Sequence, residues 1–471
     1  MNKNGANKMG TMPVGKLLMS MSLPMMISML VQALYNIVDS IFVARLNEDA
    51  LTAVSMAFSM QTLLFAAAGG IGVGLNALLS RSLGEKNKKL ADSSAMNGLF
   101  LGFVAYIIFA IVGITLVKPF YIFQTGDENS LITQYGIQYL TCVMVCAFGL
   151  YAQVLFERLL ISTGLTIYSM ITQATGAIVN IIFDPILIFG YFGFPEMGIL
   201  GAAVATVFGQ CVAAALAIYF NVTKNHDITI KLKGYRPDGK VIKTILSVGV
   251  PSMIMQAIGS VMTFTFNKIL IWFSSTAVAV FGVYFKLNSI IFMPIFGLNN
   301  CMVPFVAYNY GAKNRARMMK TVKYSIIFAV SIMFIGIAVF EIFPVQLLKL
   351  FNASDNMIAI GVPALRIICL SFSFAGCAIV LSSLFQALGH GVYSMMISLI
   401  RQMFVLIPSA FVLALIGKHM GNDVSYIWWS YNIAEIASIS TSLILFRRLY
   451  RKTISKIPLG DESGVIDYEE R

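Results

Sequence analysis

Twelve apolar stretches, each closed by a short polar break, run the length of this chain of 471 residues. About 20 apolar residues in a helix cross the hydrocarbon core of a bilayer. In lipid, every backbone polar group has to be satisfied within its own segment or a closed barrel. The stretches lie near 17–45, 51–80, 93–117, 131–156, 165–190, 198–222, 243–271, 276–306, 321–344, 358–385, 392–417 and 424–446. They predict an all-α integral membrane fold of twelve transmembrane helices. Only 11% of residues are charged, where a soluble domain carries roughly 25%. A soluble core has no room for such a surplus of apolar side chains.

The net charge of +12 invites a nucleic-acid partner, but its distribution points to a membrane instead. With the N-terminus in the cytoplasm, the loops and tails on that side hold 25 of the 33 Lys and Arg, Arg158 among them. The other side holds four: Arg45, Lys118, Lys349 and Lys418. Positive loops stay inside, so both termini are expected to be cytoplasmic. The first stretch is too long for a signal-peptide core and no A-x-A site follows it, so no cleaved signal is expected. The expected layout is a six-helix lobe at 1–222, a cytoplasmic linker at 223–243, a second lobe at 244–450 and a cytoplasmic tail at 451–471.

The six cysteines, Cys142, Cys146, Cys211, Cys301, Cys369 and Cys377, lie in apolar runs without the close pairing of zinc or redox sites. The three histidines fall in connecting segments. No cofactor is expected. The chain also lacks paired histidines, an HExxH run and a nucleophile motif, which argues against an intramembrane enzyme.

The halves repeat. Pro24 matches Pro251, Ala50 matches Ala277, Gly70 matches Gly297, and Gly84-x-Lys86-Asn87 matches Gly311-x-Lys313-Asn314, all 227 residues apart. Past a two-residue deletion, Pro119 matches Pro344, Gly136 matches Gly361 and Gly164 matches Gly389. Six spans per repeat give both halves the same orientation, so the repeats are parallel and a site is expected between or within the lobes.

Scaffold residues recur in both halves, whereas residues of a single site need not. Asp39 stands opposite Phe266 and Asp184 opposite Ser409, so these intramembrane acids belong to the first lobe alone. A carboxylate in hydrocarbon costs about 2.5–3.5 kcal/mol even on mild insertion scales, and such residues are functional candidates. Asp39 is six residues from Arg45 and Asp184 six from Gly190, placing both about 9 Å below the outer helix ends. Tyr139 and Thr206 come to nearly the same level. Asn36 is three residues from Asp39, Asn180 is four from Asp184, and Gln32 lies a further turn below Asn36. Pro185 frees the Ile181 carbonyl. Two acids close together in low dielectric do not both ionise readily. Such a pair can hold H⁺, or Na⁺ at Asp39, Asp184 and Asn180, and expose negative charge to an organic cation once the ion leaves.

The second lobe carries Lys268, Lys286, Arg366, Arg401 and Glu435 within its spans. Lys286, Glu435 and Arg401 are expected to be structural buried charges. Glu435 and Lys286 sit at similar depth and form a candidate ion pair. The 27 Met and 35 Phe supply adaptable surface for a substrate cavity, but spacing does not sort the lining residues from the lipid-facing ones. Gln32, Tyr35 and Gln256 are the polar candidates for that cavity.

The run Pro24…Gln32-Ala-Leu-Tyr-Asn36-Ile-Val-Asp39, the Gly84-Glu-Lys86-Asn87 loop, and Asn180-Ile-Ile-Phe-Asp184-Pro185 with Gly198-Ile-Leu-Gly201 resemble the multidrug and toxic compound extrusion (MATE) exporters, on the bacterial DinF/MepA-like branch. The resemblance implies a V-shaped pair of six-helix lobes in a bacterial inner membrane, a monomer, and exchange of H⁺ or Na⁺ for amphipathic organic cations. It places the ion cluster on Asp39, Tyr139, Asn180 and Asp184, with the family's sixth-span Thr at Thr206. NorM-like members use acids on spans seven and ten; span seven here offers Gln256 and no acid, and span ten offers none. A flippase for lipid-linked saccharides, from the same superfamily, is the alternative.

Overall fold

The computed structural model describes residues 7–460, apart from 232, 352 and 422. Among these residues there is no strand. The spans are α1 Val14–Ala44, α2 Glu48–Gly84, α3 Lys88–Thr115, α5 Thr166–Phe189, α6 Ile199–Lys224, α7 Gly239–Leu270, α8 Ser275–Gly311, α9 Arg315–Ile342 and α12 Ser425–Lys452. Two spans are bent pairs: α4, Leu131–Val145 with Phe148–Ser162 (44°), and α10, Asp355–Cys369 with Phe372–Ala387 (50°). α11 runs from Gly391 to His419 with a π-helical segment at Ile400–Leu406. Among the described residues, nine helices are long and apolar enough to cross a membrane, and the bent pairs bring the number to eleven. The remaining long helix, α12, is more polar, carrying Asn432, Glu435 and a basic C-terminal turn.

The repeat reaches the finest local detail. Asn47 caps α2 by accepting from the Ala50 amide, and Ser274, 227 residues on, caps α8 through Ala277. Asn87 and Asn314 cap α3 and α9 in the same way. Such caps satisfy backbone donors that the first helical turn leaves orphaned. Lys86 and Lys313, also repeat mates, both adopt positive φ, 57° and 55°, a conformation that non-glycine residues rarely take. Each bend falls in the fourth span of its lobe.

The lobes meet at one end and part at the other. At the loop-α2–α3 end, Gly84 abuts the Tyr308 carbonyl and Gly311 abuts the Arg81 carbonyl. The Arg81 guanidinium lies over the Tyr310 ring, 5.1 Å from its centroid. Arg317 of α9, almost fully buried, donates to the backbone oxygens of Met9 (3.1 Å) and Met12 (2.7 Å). At the opposite end a cavity of about 1600 Å³ separates the lobes, beginning at Leu51, Thr52 and Phe123.

Two boundaries differ from the sequence reading. The linker is shorter, because Asp238 caps α7 at residue 239. The tail begins as structure: the Pro458 and Leu459 carbonyls accept from the backbone amides of Arg315 and Ala316. The acidic end at 461–471 lies outside the described residues.

Candidate functional site

Two helices of the first lobe bring two acids together. Asp39 projects from α1 and Asp184 from α5, and their carboxyl groups stand within hydrogen-bonding reach of each other. Asp184 is fully buried. One oxygen of Asp39 is buried without a protein partner. Tyr35, one turn before Asp39, and Tyr139 on α4 lie near both carboxyls. Gln61 of α2 donates to the Tyr139 hydroxyl at 3.2 Å. Asn180 bridges the remaining side: with its oxygen toward α6 it accepts from Thr206 Oγ1 (3.3 Å), while its nitrogen donates to Asp184 Oδ2 (3.1 Å). That orientation follows from the hydrogen-bond network.

Chemically this is a carboxyl pair, one member fully and the other partly buried, ringed by hydroxyls and one amide. Two carboxyl groups in hydrogen-bonding reach need a proton or a metal cation between them, because two bare carboxylates repel.

A second cavity, about 330 Å³, lies below the pair and carries Gln32, Tyr35, Asn180 and Thr206 on its wall. It descends along α5 past Gly176 to Gln173, and ends at Glu157 and Arg158 of α4. Arg158, Gln256 and Asn300 line both cavities, so the two meet there. Arg158 Nη1 donates to Asn300 Oδ1 of α8 at 2.9 Å, bridging the lobes at this junction.

The large cavity is walled by aromatic and thioether side chains, including Phe58, Phe123, Phe264, Phe292, Met56 and Met293. Its charged lining is Arg158, Arg401 and Glu435. Arg401 Nη1 pairs with Glu435 Oε1 at 2.7 Å, and the other Glu435 oxygen is buried without a protein partner.

Of the residues singled out from sequence, the structure gathers Asp39, Asp184, Asn180, Tyr139 and Thr206 at one place and sets Gln32, Tyr35 and Gln256 on cavity walls. Asn36 is not among them: its side chain is exposed. Residues three and four positions back both neighbour Asp39 on the helix, but of the two it is Tyr35, together with Gln32, that lines the smaller cavity. Lys286 is a second correction. It is exposed, its ammonium 5.8 Å from the Phe351 ring centroid, the behaviour of a long cation snorkelling from an apolar stem. Glu435 pairs with Arg401 instead. Lys268 and Arg366 are exposed as well, Arg366 beside Glu341. Arg158 belongs to the interior rather than to a loop, which leaves 24 cations on the side of the termini against four on the other. Sequence reasoning passed over Gln61 and Glu157; the depth of Gln61 in its span was the available signal.

A membrane transporter built of two parallel repeats around a central cavity is the class these features define. The MatE family profile matches residues 24–186 and 251–412, once in each lobe. The chain belongs to the MatE family, a family of transporters. It is 27% identical over 450 residues to the multidrug export protein MepA of Staphylococcus haemolyticus (strain JCSC1435), covering 94% of this chain and 96% of the relative. The protein of the same name from Staphylococcus aureus (strain MSSA476) is 28% identical over 461 residues, with the same coverage. The fold superposes on the outward-facing conformation of a multidrug resistance MATE family transporter with a TM-score of 0.88, at 24% identity, covering 97% of this chain and all of that one.

Proposed function

We propose that this chain is a cation-coupled antiporter, exporting amphipathic organic cations in exchange for an ion taken up at Asp39 and Asp184. The observation that carries the reading is the face-to-face placement of these two carboxyls in one lobe only. The arrangement favours H⁺, since a single proton shared between the two satisfies both. The surrounding hydroxyl and amide oxygens are also suited to Na⁺, a hard cation that takes oxygen ligands. The aromatic walls of the large cavity offer π faces to a cationic substrate, and the Lys and Arg bias supports an orientation with that cavity's open end outside.

In the cycle, an external ion neutralises the pair and releases substrate outward. The lobes then rock, and loss of the ion inside restores negative charge for the next cation. A ligand shifts such an equilibrium only by its differential affinity for the two states. Export of a lipid-linked pyrophosphate calls for a cationic cavity. Here Arg401 is offset by Glu435 and Arg158 is adjacent to Glu157, so the cavity carries no strong positive field.

Ethidium efflux from vesicles under an imposed proton gradient, compared with an imposed sodium gradient, tests the proposal. Efflux that ignores both gradients would overturn it.

A further inference from the structure

The antiport cycle above makes no use of two buried acids, Glu435, which is paired with Arg401, and Glu157. Glu157 of α4 is 3% exposed, about five residues from the end of its helix at Ser162, and at the foot of the smaller cavity. Its Oε1 receives Gln153 Nε2 (3.1 Å) and faces Thr172 Oγ1 (2.9 Å); its Oε2 receives Gln173 Nε2 (2.8 Å). Gln173 in turn accepts from Ser28 of α1. The charged and titratable groups beside this cluster are Arg158 on the same helix and, facing Arg158, the Cys301 thiol of α8. The groups that α1 and α5 present, Ser28, Thr172 and Gln173, do not ionise.

Thr172 reveals how the cluster handles a proton. Its single O–H has two acceptors, Glu157 Oε1 and the Ser169 carbonyl at 2.7 Å. With Glu157 ionised, the hydroxyl donates to the carboxylate. With Glu157 protonated, the acid donates to Thr172 and the hydroxyl turns to Ser169. Both states are fully hydrogen-bonded with no movement of heavy atoms, whereas a buried carboxylate serving packing alone needs only the first.

We infer that Glu157 is a second proton site of the transport cycle, at the inner end of the ion pathway. The inference rests on the antiport reading and deepens it. Gln173 and Asp184 are eleven residues apart on α5, about 16 Å. The cavity between Asn180 and Glu157 has room for several waters at about 30 Å³ each. A proton leaving the Asp39–Asp184 pair is taken up by Glu157 Oε1 and departs from it to the cytoplasm, so one proton enters and one leaves. Arg158 couples this site to substrate: it adjoins Glu157, lines both cavities and holds Asn300 of the other lobe. A cation arriving at that junction competes with the proton for the same negative charge.

The test counts protons released when ethidium binds to the purified full-length protein in weakly buffered detergent solution. Glu157→Gln, isosteric with the protonated acid, is expected to bind ethidium but release fewer protons than the wild type, and Glu157→Asp to restore part of the release. Wild-type release from Glu157→Gln, alongside a reduced release from Asp39→Asn, would overturn the Glu157 assignment and leave the antiport reading intact. No release from the wild type would overturn the Glu157 assignment and leave antiport only with Na⁺ as the coupling ion, which the sodium-gradient efflux measurement tests separately. Should Glu157→Gln fail to assemble, carbodiimide labelling of the wild type decides the matter. Peptide mass spectrometry is expected to find label on Glu157 that falls when ethidium binds. Labelling of the Asp39 or Asp184 peptides alone would overturn the proposal.

Discussion

Gly84 at the end of α2 lies so close to Tyr308 of α8 that a Cβ on the glycine would overlap the Tyr308 carbonyl oxygen. The repeat mates reproduce the contact in reverse, Gly311 against the Arg81 carbonyl. The obstruction is backbone on both sides, so rotamer changes do not relieve it. Overpacking at such a contact costs about 1–3 kcal/mol. Because the contact exists only while this end is closed, the cost falls on one conformation.

Gly84→Val is therefore expected to shift the population away from the outward-open state by about 5–150-fold. Ser289, on the wall of the large cavity, supplies the reporter. In a background with the native cysteines replaced, Ser289→Cys should react more slowly with an impermeant maleimide added outside when Gly84→Val is present. An unchanged rate would show that the contact does not control the transition.

At the acid pair, Asp39→Asn keeps the shape of the side chain and removes its ability to ionise. Gradient-driven export is expected to fall by about 5–150-fold, the range of ordinary coupling free energies. Amounts in the membrane should stay normal, since an amide costs less to insert than a carboxylate. Vesicle efflux under the imposed gradient measures this; wild-type rates from Asp39→Asn would end the coupling role.

The spans and the repeat were legible because lipid imposes length and composition directly, and because Gly84, Asn87, Lys86 and their mates serve the scaffold in both halves. Asp39 and Asp184 stood out as acids in oil without counterparts. What lay beyond reach depends on neighbours distant in sequence. Glu157 beside Arg158 reads as a polar break ending the fourth span, and only Thr172, Gln173 and Gln153 make it an interior residue. Depth along a helix likewise paired Glu435 with Lys286, but depth does not specify azimuth, and Arg401 occupies the matching side. Which phenylalanines line the cavity depends on where the lobes part, a property of the assembled protein.

Gln61 offers a graded test of the acid pair's surroundings. Its hydrogen bond to Tyr139 is one interhelical contact inside the membrane, a kind worth about 0.6 kcal/mol on average. Gln61→Leu is expected to change the apparent affinity for the coupling ion by about threefold, seen as a shift in the ion concentration giving half-maximal efflux. A loss as large as that of Asp39→Asn would mean Gln61 ligates the ion itself.

Arg401 and Glu435 present the opposite energetics. Glu435 keeps only 8% of its side chain exposed while Arg401 keeps 31%, so removing the arginine strands a carboxylate in a low-dielectric wall. Breaking a buried pair costs about 3–5 kcal/mol, whereas replacing both partners with apolar groups of similar volume is often neutral. Arg401→Met should thus destabilise the protein by about 3 kcal/mol, the lower end because the guanidinium reaches into the cavity. The Arg401→Met, Glu435→Met double variant should recover most of that loss. Thermal unfolding in detergent of four proteins, the wild type, Arg401→Met, Glu435→Met and the double variant, arranged as a double-mutant cycle, separates the pair's interaction from the cost of stranding one member. Equal destabilisation of the single and double variants would show that Arg401 contributes packing rather than charge compensation.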